Sequence, residues 1–158
     1  MRLRVLWVFA LLVAVPSWAV DANPSAAIIE IGGRSVDIQA AVAKLPRQSI
    51  SATAHGRTST YEGYDLREVL KAAGLATAES LKGKQLTRLV RVSARDGYEA
   101  VFALADLDPT LGNAHILLAD RENGQAMSPG DGPWRLVIPA EARPARWVRQ
   151  VAVIRVTD

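Results

Sequence analysis

The residues best suited to chemistry gather near the C-terminus, where Arg135, Arg143, Arg146 and Arg149 lie within fifteen positions and two prolines, Pro133 and Pro139, bracket a short strand. A guanidinium fork matches the oxygens of a phosphate, and arginines on loops beside free backbone amides make good anion receptors. Trp134 and Trp147 occupy the same stretch, so a plainer reading puts the tryptophans in the core or at its rim and leaves the arginines solvated. A second basic point is the polar break His55-Gly56-Arg57. Asp106 and Asp108 sit beside Pro109 and read as turn residues, because Asp-Pro is a turn former. Asp96-Gly97-Tyr98 has a sufficient explanation as a hairpin turn followed by a strand aromatic.

Other chemistry is excluded by type. There is no Gly-x-Ser-x-Gly elbow, no phosphate-cradling glycine loop and no metalloprotease helix. Cysteine is absent, which removes disulfides, thiolate ligands and cysteine nucleophiles together. His55 and His115 lie far apart and share no ligand spacing, so no structural zinc site is expected.

The elements that must position these residues read as follows. Residues 26–31 form a short apolar strand ended by Gly32-Gly33. Asp37 caps a short helix with Ile38, Ala41, Val42 and Leu45 on one face, stopped by Pro46. Residues 48–54 are a strand. The clearest helix starts at Asp65, where Glu68 completes a capping-box pattern, Leu66, Val69, Leu70 and Ala73 line one face, and Gly74 ends it. In 86–94, Val90, Val92 and Ala94 alternate with polar residues, and Tyr98, Ala100 and Phe102 would share a face on the return strand. Strands are also expected at 115–119, 134–138 and 151–156, with a turn at Asn123-Gly124 and a loop over 128–133. The balance is α+β, with antiparallel or mixed sheets and two or three short helices.

The first residues have the order of a secretory signal. Arg2 and Arg4 precede an apolar run from Val5 to Val15, and Ser17-Trp18-Ala19 offers small residues to a signal peptidase. The run is too short for a comfortable membrane span, which takes roughly 20 apolar residues. Cleavage is expected after Ala19, leaving residues 20–158 as one domain in the periplasm or outside the cell. Loss of two arginines from a chain with 19 basic and 16 acidic side chains leaves near balance. The basic pI therefore argues for no nucleic-acid partner, and no Lys/Arg cluster with stacked aromatics supports one.

Five blocks in order carry a resemblance: TYEGYDLREVLKAAGL (60–75), VRVSARDGYEAVFAL (90–104), HILLADRENGQAM (115–127), GDGPWRLVIP (130–139) and RWVRQVAVIRV (146–156). Together they resemble the molybdopterin-binding domain of the sulfite oxidase family. The resemblance implies that family's fold, and a pyranopterin held through arginine, lysine, histidine and backbone groups. It also implies a molybdenum-ligating cysteine in the segment that here runs from Ser49 to Gly63 and holds none. Thiolate is a soft anionic donor that serine or histidine does not replace without rebuilding a site. Arg57 and Arg146 match basic cofactor contacts best, with Arg135, His55 and Trp147 next, and no catalytic or metal-binding residue is expected. The leader's Arg-Leu-Arg also differs from a twin-arginine signal, which implies export as an unfolded chain. The expected function is a non-catalytic binding or interaction module of the cell envelope without cofactor. It would take a small anionic or pterin-like ligand, or dock on an envelope redox or sensor protein. The other reading is a periplasmic molybdopterin-dependent oxidoreductase acting on a small oxyanion or sulfoxide, which would need a metal donor between Ser49 and Gly63.

Overall fold

The structure, a computed structural model, describes residues 26–75 and 81–157. The expected leader lies outside the described residues. Two five-stranded sheets carry the fold. In the first, β1 (Ile28–Ile31) pairs antiparallel with β2 (Arg34–Asp37) and parallel with the last strand, β10 (Val151–Thr157). β10 in turn pairs with β5 (Leu89–Ala94), and β5 with β6 (Glu99–Ala103). The C-terminal strand thus closes the domain by entering between the first strand and the middle of the chain. One face of this sheet buries Ile29, Val90, Val92, Phe102 and Ile154. The other carries a solvated ladder in which Arg155 donates to Glu30 and Arg91 to Glu99.

The second sheet holds the chemistry. β3 (Gln48–Ala54) and β4 (Arg57–Asp65) form a hairpin through His55-Gly56, both left-handed at φ 51° and 77°. β4 pairs with β7 (Leu117–Glu122), whose other edge takes β8 (Gln125–Ala126) and β9 (Arg135–Val137). β9 also ties the sheets together, because Leu136 N donates to Val148 O, and Val151 N at the start of β10 donates to Trp134 O just before β9. Gly63 is required where β4 crosses an irregularity in β7, since a Cβ there would stand 2.6 Å from Ala119 Cα.

Two α-helices pack against each other through buried faces: α1 (Ile38–Val42) with Ile38, Ala41 and Val42, and α2 (Leu66–Ala72) with Leu66, Val69 and Leu70. Their caps follow the sequence. Asp37 accepts from Ala40 N, Asp65 accepts from Arg67 N, and Gly74 turns at φ 99° so that Leu75 N reaches Leu70 O. Glu68 departs from the capping-box pattern, for its carboxylate meets Lys71 at 2.9 Å instead.

The class read from sequence, α+β with mixed sheets, is the class observed. Several elements differ. β2 and β4 carry no expectation in the sequence, and β5 begins at Leu89 because residues 83–87 form a 3-10 turn. The strand expected at 115–119 runs from Leu117 to Glu122. Tyr98 leaves the face of Ala100 and Phe102 and is 51% exposed. Its amide is held by Asp96 Oδ1 within the turn, and its hydroxyl donates to Ala145 O at 2.5 Å.

Candidate functional site

Strand alternation sets the site. Arg57, Ser59, Tyr61 and Gly63 fall on one side of β4. Tyr61 pairs with Glu122 across to β7, and Ala119 pairs with Arg135 across to β9, so tyrosine and arginine reach one face from strands distant in sequence. The Arg135 guanidinium lies 5.7 Å from the Tyr61 ring centroid and 5.8 Å from that of Trp147. The two rings meet edge-on at 5.8 Å and 90°. Such a stack stabilises a desolvated cation through the ring quadrupoles.

Polar partners surround the stack. Glu122 Oε1 accepts from the Tyr61 hydroxyl at 3.3 Å and from Arg57 Nη2 at 3.2 Å. Burial pushes the Tyr61 hydroxyl above its ordinary range; the Arg135 charge opposes that rise and Glu122 adds to it. Trp147 Nε1 donates to Ile138 O at 3.2 Å. Asp131 approaches Arg135 Nη1 at 3.4 Å and Arg149 Nε at 4.0 Å, and accepts from Ser128 Oγ at 3.0 Å. Arg135 Nε is buried without an acceptor. A buried donor left unmade costs about 1–3 kcal/mol, so the cation here is under-satisfied.

Three of the residues singled out from sequence come together: Arg57, Arg135 and Trp147 are linked through Tyr61 and Glu122. Arg146 does not join them. It donates from Nε to Glu141 at 2.6 Å, adds a second contact to the same carboxylate through Nη2, and lies 4.7 Å over the Phe102 ring. That places it on the first sheet, on the opposite side of the 3-10 turn over Pro144–Arg146 from Trp147. His55 sits exposed at the tip of the β3–β4 hairpin. Both tryptophans are core residues, Trp134 at 5% and Trp147 at 4% exposure. The plainer reading therefore holds for the rings, whereas Arg135 is paired and 12% exposed instead of solvated.

Sequence reasoning missed Tyr61, Glu122 and Asp131. The signal for Tyr61 was present in the β-branched and aromatic run Thr58-Ser59-Thr60-Tyr61, which reads as strand with Ser59 and Tyr61 on one side. An open depression of about 490 Å3 at the β1–β2 hairpin, bordered by Glu30, Arg34 and Arg155, shares no residue with this cluster.

The fit of a molybdenum cofactor can be judged on donors. The segment that the resemblance assigns to the metal ligand is the β3–β4 hairpin, and its side chains offer hydroxyls, one histidine, one arginine and one carboxylate, Glu62, but no thiol. Among the described residues no group of three or more His, Cys, Asp or Glu could hold a metal ion. The arginines best matched to cofactor contacts are each engaged by a carboxylate: Arg57 by Glu122, Arg135 by Asp131 and Arg146 by Glu141. These residues do not fit a metal centre held through thiolate.

Comparison with known proteins agrees with the architecture. No curated protein matches the chain. Its fold is similar to that of the sulfane dehydrogenase SoxCD from Paracoccus pantotrophus, with a TM-score of 0.61 at 16% identity. That match covers 84% of this chain and 38% of the other, so the chain spans well under half of the solved structure it resembles. A family model described as the oxidoreductase molybdopterin binding domain matches residues 35–158, from β2 through β10. On that match, the chain belongs to the oxidoreductase molybdopterin-binding domain family.

Proposed function

We propose that this chain is an exported, non-catalytic member of its family that works in the cell envelope as a binding module for a small anion. The observation that carries the reading is the β3–β4 hairpin, where the segment expected to hold a thiolate offers an exposed His55-Gly56 turn, hydroxyl side chains and the Glu62 carboxylate. Hard oxygen donors and a lone imidazole do not reproduce a soft thiolate. The Arg135, Tyr61 and Trp147 stack supports a capacity to hold a charged group, since it places a desolvated guanidinium with an unused donor at one face of the second sheet. Partner proteins of the envelope, whether redox or sensory, would read that occupied or empty state.

Elemental analysis tests the reading. Protein purified from the envelope of its native host is assayed for molybdenum and tungsten, and an acid-oxidised sample is read for pterin fluorescence. Neither metal nor pterin is expected, with an N-terminus at Val20. Near-stoichiometric metal together with pterin would overturn the non-catalytic reading and turn attention to a donor between Ser49 and Gly63.

A further inference from the structure

The loop over 128–133 sets one carboxylate against two guanidiniums. Asp131 Oδ1 lies 3.4 Å from Arg135 Nη1 and 4.0 Å from Arg149 Nε, both longer than the ~2.7–2.9 Å of a charge-assisted hydrogen bond. Side-chain exposure rises outward along this row, from 12% at Arg135 through 25% at Asp131 to 63% at Arg149. The innermost member has spare capacity, because Arg135 Nε is buried with no acceptor.

The loop backbone is fixed independently of this carboxylate. Gln150, left-handed at φ 47°, donates from its amide to Asp131 O at 2.8 Å and from Nε2 to Pro129 O at 2.7 Å. Asp131 N and Gly132 N both donate to Ser128 O. The Asp131 side chain itself is held by the Ser128 hydroxyl and two loose ion pairs. A rotation of that one side chain would bare the Arg135 and Arg149 forks while the loop stays clamped. A non-glycine residue in the left-handed region is a local strain that persists only where the surroundings enforce it, and here it serves the clamp.

We propose that Asp131 is a displaceable internal counter-ion, which keeps closed an oxyanion site formed by Arg135 and Arg149. The ligand class is a tetrahedral oxyanion such as phosphate, free or as the end group of a larger molecule. It would replace one short carboxylate with more oxygens, enough to engage both forks and the unused donor. The proposal rests on the anion-binding reading above and adds the residue that gates it.

Calorimetric titration with inorganic phosphate decides the point. Asp131→Asn keeps the shape and the acceptor for Ser128 but removes the charge. It is expected to bind phosphate at least tenfold more tightly than wild type, and adding Arg135→Ala is expected to abolish the gain. Glycerol phosphate titrated in parallel distinguishes a free oxyanion, which gives equal affinities, from a phosphoryl end group, which favours the ester. A readout without substitution comes from the amide NMR spectrum of wild type titrated with phosphate, where Asp131, Arg149 and Gln150 are expected to shift. Equal affinity in wild type and Asp131→Asn would overturn the counter-ion proposal while leaving anion binding intact. Binding by neither protein would overturn both.

Discussion

Arg47 and Asp120 meet on one side of the second sheet, and Arg135 and Asp131 meet on the other. The first pair is bidentate, with Nη2 to Oδ1 at 2.5 Å and Nη1 to Oδ2 at 3.1 Å, and Nη1 also donates to the Tyr64 hydroxyl at 3.0 Å. Asp120 holds Arg47 still further into its charged form. The second pair stands 3.4 Å apart, shares its carboxylate with Arg149 and leaves Arg135 Nε without an acceptor. The same two residue types therefore do different work. Where donors and acceptors match, the pair fixes the loop before β3 to β7. Where donors outnumber acceptors in a more buried place, the pair retains capacity for something else.

Substitutions separate the two pairs. Gly63 on β4 pairs with Ala119, which adjoins Asp120 and itself pairs with Arg135, and Gly63→Ala would drive a Cβ into the backbone of Leu118 and Ala119. A loss of about 3 kcal/mol or more in urea unfolding is expected, which disrupts both pairs and sets the upper bound. Asp120→Asn is expected to cost about 1–2 kcal/mol by the same measurement, since it weakens a bidentate, partly exposed pair.

A third carboxylate tests acid sensitivity apart from both pairs. Asp108 accepts from the Thr110 hydroxyl, the Thr110 amide and the Leu81 amide, and these hold its carboxyl below the ordinary range. A lowered folded value gives stability that is fully present above about pH 4 and is lost as pH falls through the folded value. Wild type is expected to destabilise on that acid limb, and Asp108→Asn to flatten it, in melts recorded from pH 6 to pH 2.5. The smallest effect is expected from Asp131→Asn, which keeps an acceptor for Ser128 and breaks no short hydrogen bond to Arg135 or Arg149, and should lower unfolding stability at neutral pH by less than about 1 kcal/mol.

Much of the frame was legible because local rules act locally. β3 ends where His55-Gly56 turns, α2 starts at the Asp65 cap and stops at Gly74, and the Asn123-Gly124 turn joins β7 to β8. β4 was only partly legible: Thr58 to Tyr61 has strand character, but Ser59, Glu62 and Gly63 give it no clean apolar alternation. It is a strand through pairing on both edges, with β3 and with β7. The site was half legible for the same reason. Arg135 and Trp147 announce themselves in a dense C-terminal stretch, whereas Tyr61 and Glu122 become their neighbours only through strand register. Arg146 and Trp147 are adjacent in sequence yet point to different sheets, because a 3-10 turn ends between them and nothing in composition marks it.

The most direct test of the difference between the two pairs is a matched thermal melt of Asp120→Asn and Asp131→Asn, each with and without phosphate. Ligand bound only by the folded state raises the midpoint, by an amount that grows with the logarithm of its concentration over Kd. Asp120→Asn is expected to melt several degrees below wild type in both buffers. Asp131→Asn should melt within a degree or two of wild type without phosphate and rise clearly with it. An Asp131→Asn midpoint that falls as far as that of Asp120→Asn, and that phosphate does not restore, would contradict the distinction and make both pairs structural.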